Sequence, residues 1–238
     1  MLSGPSAAEL GWLARSGIQI AEGPDAGGVR AWLDETPGPP GFIYSEITGY
    51  FITLCCQLAR HGDREWLAPA ERAATWIVER ALHPSGAVLS RKYDDPERGA
   101  SDPYSFENGR IAFFDCAMVG YGLVELHALT GNVRWLDAAT KLAAFLDRAF
   151  ASAPQSGHST FDAATMTPVP AAPRWSSHFG PFELKGAMFL DALATATGAD
   201  ASRAFVDRVL TLALSRQHAA GRFPTMPAGD TTHLHPHT

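Results

Sequence analysis

The chain has 238 residues, 46% of them hydrophobic and 10% aromatic, enough apolar material for one sizeable core. Only 18% are charged and the net charge is −6, with a pI of about 5.8, which excludes the basic face that nucleic-acid binding requires. No stretch reaches the roughly 20 uninterrupted apolar residues that would span a bilayer. Met1–Pro5 lacks the basic end and apolar run of a signal peptide, so a cytoplasmic location is expected.

One phrase recurs along the chain. Gly62-Asp-Arg-Glu-Trp66-Leu67 matches Gly131-Asn-Val-Arg-Trp135-Leu136, an offset of 131 − 62 = 69. Thr197-Gly198 repeats Thr130-Gly131 at 197 − 130 = 67, and Trp76-Ile77 falls back onto Trp12-Leu13 at 76 − 12 = 64. In chain order, the first element is therefore the second half of a unit, around Trp12. Each later unit reads as two helices. The first of them, over 47–61, carries Ile47, Tyr50, Phe51, Leu54 and Leu58 at helical spacing. It closes at Gly62, a residue that tolerates the left-handed conformation ending a helix. The second, over 66–82, places Leu67, Ala70, Ala74, Ile77 and Ala81 on one face and charge on the other. The pattern repeats over 112–130 with 135–150, and over 183–197 with 202–217, closing at Gly131 and Gly198. First helices are apolar on most sides and belong inside; second helices are amphipathic and belong outside. Segments 20–46, 86–111, 152–181 and 221–234 read as long polar loops without regular structure. No linker divides the chain, so residues 1–238 are expected to form a single all-α domain. Cys55, Cys56 and Cys116 fall in apolar helical stretches, as reduced core thiols do.

Acidic residues occupy equivalent positions at the start of each inner helix. They are Glu46, Asp115 and Glu183, with 115 − 46 = 69 and 183 − 115 = 68. Carboxylates ringing one mouth can hold sugar hydroxyls, and two of them can act as acid and base across a glycosidic bond. An acid at a helix N-terminus is also favoured by the helix dipole alone. Tyr44 and Tyr50 flank Glu46 with aromatic surface. The segment from Arg91 to Arg110 is the most charged in the chain and includes Tyr104 and Glu107, as a binding wall or a solvated loop would. Trp175, His178, Glu183 and Lys185 crowd the third inner-helix start, and a histidine beside a carboxylate can serve as a base. His233, His235 and His237, with His178, are possible Zn²⁺ ligands. No Cys or Asp at ligand spacing accompanies them, so no metal and no other cofactor is expected.

Two phrases carry a family resemblance. Tyr44-Ser-Glu46-Ile-Thr-Gly49-Tyr50 and Phe114-Asp115-Cys-Ala-Met-Val119-Gly-Tyr-Gly122-Leu123 resemble inner-helix openings of the six-hairpin glycosidase-like superfamily of α/α toroids. The resemblance implies a toroid of repeated helical hairpins and a carbohydrate-active protein. It also implies a glycan or uronic-acid substrate, hydrolysis as the first choice of reaction and sugar epimerisation as the second. Within it Glu46 and Asp115 are the acid–base candidates, assisted by Tyr50 and His178. Tyr44, Tyr104, Glu107, Trp175, Glu183 and Lys185 would bind substrate. Closed toroids of this kind have about six hairpins, and three and a half are legible here. An incomplete ring is expected, completed by a second copy or a partner chain. A non-catalytic half-toroid scaffold is the alternative from a different class. The zinc motif of the toroidal lanthionine cyclases and the Asp-rich motif of terpenoid toroids are not reproduced.

Overall fold

The computed structural model describes residues 5–33, 41–93, 108–151, 158–172, 177–180 and 183–223. In chain order the elements are α1 (Ala7–Arg15), β1 (Ile43–Tyr44), α2 (Ser45–Arg60), a 3₁₀ turn (Arg64–Trp66), α3 (Leu67–Trp76) running into a π turn (Ile77–Ala81), and β2 (Arg91–Lys92). There follow β3 (Arg110–Ala112), α4 (Phe113–Thr130), α5 (Val133–Ala151), β4 (Thr160–Asp162), α6 (Leu184–Thr197) and α7 (Asp200–Ser215). Every helix expected from the repeat is present, and no helix among the described residues is long and apolar enough to cross a membrane.

The two-layer arrangement follows from the patterning. Helices α2, α4 and α6 form an inner row in which α4 packs against both neighbours, and each is backed by its successor, α3, α5 or α7. Helix α4 has neighbours on three sides and buries Cys116, Ala117, Val119, Leu123 and Leu126 completely. Helix α5 buries one stripe, Trp135, Ala139, Leu142, Leu146 and Phe150, and leaves the rest to solvent. Cys55, Cys56 and Cys116 are free and fully buried.

The inner row is close because glycines lie on its seams. A Cβ on Gly49 would come within 2.8 Å of the Val119 backbone nitrogen, and one on Gly122 within 2.7 Å of the Gly49 carbonyl oxygen. Gly120 leaves the space that the Phe189 ring fills, and Gly186 faces Phe113. Three of these, Gly49, Gly120 and Gly122, are the glycines of the two motif phrases. Thr48 of the first phrase is structural as well. Buried, it bonds the Tyr44 carbonyl at 2.8 Å and accepts the Val29 amide at 3.2 Å, tying the 27–30 turn to α2.

Helices α4 and α6 end at Gly131 and Gly198 in the left-handed conformation, φ 69° and 70°. Helix α2 ends one residue earlier relative to its glycine: its cap is His61, and Gly62 follows with φ 117°.

The loops are not without regular structure, as the sequence reading expected. β1 pairs with β2 (Ile43 opposite Lys92) and β3 with β4 (Ile111 opposite Phe161), both antiparallel. The pairings repeat like the helices, since 111 − 43 = 68 and 161 − 92 = 69. Strands of two or three residues are too short to display an alternating pattern, so the sequence carries no period-2 signal for them.

Candidate functional site

Each inner helix begins where a short strand or turn ends, and the repeat makes these beginnings equivalent. Tyr44 and Ala112, both extended, precede α2 and α4 directly. The first amides of those helices have no partner within the helix, and loop carbonyls supply one. Ser45 donates to the Ser90 oxygen at 3.0 Å and Phe113 to the Ser159 oxygen at 2.8 Å. The two acceptors are again 159 − 90 = 69 residues apart. One residue after Ser45 stands Glu46, and two after Phe113 stands Asp115, each in the first turn of its helix. Glu183 is the cap residue of α6, its amide bonded to the Gly180 oxygen at 3.0 Å. Three acids are thereby set at one end of three adjacent inner helices.

They are near enough to act on one another. Glu183 is 1% exposed, and burial, then the Asp115 charge, then the Glu46 charge push its carboxyl well above the ordinary range. Its Oε2 is buried without a hydrogen-bond partner among the described residues. Tyr50, one turn along α2 from Glu46, is pushed up in the same way by burial, Glu46 and Asp115. Its hydroxyl accepts a hydrogen bond of 3.1 Å from Lys185 Nζ. That ammonium lies 5.3 Å from the Tyr50 ring centre and 5.7 Å from the Phe114 ring centre. Burial draws the Lys185 pKa down, and the Glu46 charge opposes it. Asp115 is 3% exposed, whereas Glu46, Tyr50, Phe114 and Lys185 are only partly buried. Two buried carboxyl groups thus lie behind a partly open rim of carboxylate, phenol, aromatic ring and ammonium. Such a rim can bond sugar hydroxyls and move protons.

Of the residues singled out in the sequence, Glu46, Tyr50, Asp115, Glu183 and Lys185 come together. The ring of Tyr44 packs edge-on to Phe42 at 5.7 Å, with the Arg91 guanidinium 5.5 Å from its centre. His178 precedes the Phe179 that packs on Phe113, and its Nε2 is buried without a hydrogen-bond partner among the described residues. Tyr104, Glu107, Trp175, His233, His235 and His237 lie outside the described residues. Among the described residues no cluster of three or more His, Cys, Asp or Glu side chains is arranged to hold a metal ion. Phe114 escaped the sequence reading, although it stands beside Asp115 in the second motif phrase. An aromatic residue in an apolar helix gives no sign of which ring will meet a cation.

No protein-family model and no curated protein matches the sequence. Solved structures do resemble it. Cellobiose 2-epimerase of Spirochaeta thermophila is similar over 90% of this chain and 54% of its own, with a TM-score of 0.66 and 16% identity. A GH76 α-mannanase of Bacteroides thetaiotaomicron is similar over 84% and 52%, with a TM-score of 0.65 and 10% identity. Unsaturated glucuronyl hydrolase of a Bacillus species is similar over 79% and 50%, with a TM-score of 0.56 and 21% identity. The fold is the α/α-toroid architecture that these proteins share. The chain spans about half the length of these toroids. Its own inner row supplies adjacent hairpins of that architecture, with the acidic cluster at the inner-helix starts.

Proposed function

We propose that this toroid is carbohydrate-active and hydrolyses a glycosidic bond in a glycan or uronic-acid sugar, using the carboxyl groups at its inner-helix starts. The observation that carries this reading is the convergence of Glu46, Asp115 and Glu183 at the starts of three adjacent inner helices, the first two close enough to act on Glu183 and on Tyr50. Hydrolysis needs one carboxyl to protonate the leaving oxygen and another to assist attack at the anomeric carbon. Asp115, buried near Glu183, forms with it a carboxyl pair that holds one proton, and this is the proton that the leaving oxygen takes. Glu183 carries that proton at rest, which spares the site a further buried charge. Glu46, partly open and near the Lys185 ammonium, is the better placed to take the proton of the attacking water. Tyr50 and Lys185 offer donors to sugar hydroxyls, and His178 assists from the turn before α6. Epimerisation would ask a base to remove a carbon-bound proton. Burial and two nearby carboxylates hold the Tyr50 hydroxyl in its protonated form, which favours a donor role for it and hydrolysis over epimerisation.

The test is turnover of cellobiose, α-mannan and an unsaturated glucuronyl disaccharide, with product analysis that separates cleavage from epimerisation. Glu46→Gln and Asp115→Asn each keep the shape of the side chain and remove its proton chemistry. Each is expected to lower the cleavage rate by about 10²–10⁴-fold. Melting temperatures should stay close to the parent's, because a charge at a helix N-terminus contributes about 1 kcal/mol or less. Turnover at the parental rate in both variants ends this reading.

A further inference from the structure

A cleft lies outside the acidic cluster, between the turn that follows the π turn and the outer helix α5. Its volume is about 390 Å³, and it is lined by Leu82, His83, Pro84, Ser85, Gly86, Lys141, Ala144 and Arg148. No acidic side chain lines it, although the chain as a whole carries a net charge of −6.

The turn is held in place by its own bonds. Ser85 Oγ meets His83 Nδ1 at 2.9 Å, the Gly86 amide bonds the His83 carbonyl at 2.9 Å, and the Arg148 guanidinium donates to the Ser85 carbonyl at 2.7 Å. Gly86 has φ 89°, and a Cβ there would come within 2.9 Å of the Lys141 carbonyl oxygen, so the turn seats against α5. Lys141, Ala144 and Arg148 are spaced by three and four residues and share one face of that helix. The small Ala144 leaves room between the two cations. Nearby acids are engaged elsewhere: Glu79 pairs with Arg134, and Asp147 with Arg208. Asp137, one turn before Lys141, does not line the cleft. Among the described residues Lys141 has no ion pair. Arg148 spends one donor on Ser85 and keeps the rest of its fork, and His83 keeps Nε2.

We propose that this outer cleft binds a small phosphate ester, with Lys141, Arg148 and His83 on the phosphoryl oxygens and Leu82, Pro84 and Ala144 against the organic part. A guanidinium held by the Ser85 carbonyl and an ammonium two turns away on the same helix face, both lining one cleft, suit a multiply charged oxyanion. The volume falls within the roughly 300–1,000 Å³ of small-molecule sites and exceeds what a bare phosphate ion fills.

Calorimetric titration with glucose 6-phosphate, inorganic phosphate and glucose tests this. Glucose 6-phosphate should bind with a Kd below about 1 mM, inorganic phosphate more weakly, and glucose not at all. Lys141→Met removes a cation that makes no described bond, so the turn and the melting temperature should be kept while binding weakens at least about tenfold. Arg148→Met should weaken it as much. Absence of ester binding overturns the proposal, as does ester binding unchanged in a folded Lys141→Met. Inorganic phosphate binding as tightly as the ester overturns the assignment of an organic ligand. The readout is binding alone, so it stands apart from the glycan reading of the acidic cluster.

Discussion

Lys185 Nζ donates a hydrogen bond of 3.1 Å to the hydroxyl of Tyr50, joining the first and third inner helices across residues 135 apart in sequence. The second helix, α4, lies between these two and contributes the Phe114 ring that the same ammonium faces. One side chain thus ties all three inner-helix starts together at the rim of the acidic cluster.

Tyr50→Phe keeps the ring and removes the acceptor. The expected outcome is a stability loss of about 1 kcal/mol, the net contribution of an ordinary hydrogen bond. Urea denaturation should show this as a lower midpoint at unchanged slope. A parental midpoint would mean that the bond contributes nothing to holding α2 and α6 together.

The glycine seams predict a contrast between two substitutions. Gly120→Ala places a methyl group into the space of the Phe189 ring, which is fully buried and has nowhere to go. Overpacking of this kind costs about 1–3 kcal/mol. Gly198→Ala meets nothing within 4 Å, and its cost comes only from the left-handed backbone, φ 70°. That conformation costs a side-chain-bearing residue about 1–2 kcal/mol. Repacking should separate them. Enlarging the space with Phe189→Leu in the Gly120→Ala background should recover part of the loss beyond additivity, and the same change with Gly198→Ala should be additive.

The thiols predict an all-or-none chemical result. Cys55, Cys56 and Cys116 are fully buried, and burial raises all three, Cys56 to about 12. Thiolate is the reactive form. A disulfide-exchange reagent at neutral pH should titrate none of them in the native protein and all 3 in guanidinium. Prompt reaction of any one in the native state would show that the inner row opens on that timescale.

The helices were legible because each repeats a 3- to 4-residue apolar period over many turns, anchored by Trp66 and Trp135 at a constant offset. The positions of Glu46, Asp115 and Glu183 were legible for the same reason, since equivalent places in a repeat arrive at equivalent places in space. The strand pairings were not, because Ile43–Tyr44 and Arg91–Lys92 are too short to alternate. Nor was the Lys185–Tyr50 bond, which depends on how far α6 stands from α2, a distance set by Gly49, Gly120, Gly122 and Gly186 on the seams. The motif phrases mix both kinds of information. Thr48 and Gly49 serve packing, and Glu46 and Tyr50 face the cluster, yet nothing in the letters separates the two roles.

The pH dependence of stability tests the state of Glu183 without any substrate. Burial, Asp115 and Glu46 hold its carboxyl well above the ordinary value of 4.5 in the folded chain, whereas the unfolded chain returns it to that value. Between the two values the folded protein binds a proton that the unfolded protein has released, so the slope of stability with pH is negative. The contribution of Glu183 is therefore complete below about pH 4.5 and is lost as pH rises toward the folded value. Glu183→Gln removes this titration and keeps the shape and a neutral buried group. The variant should match the parent at the acid end and melt higher than the parent at neutral and alkaline pH, with the difference widening through the window. Melting temperature measured from pH 4 to pH 9 in both proteins provides the check. Two parallel curves would mean that Glu183 titrates as a solvated carboxyl does, and the acidic cluster would then lose the feature on which its proton chemistry rests.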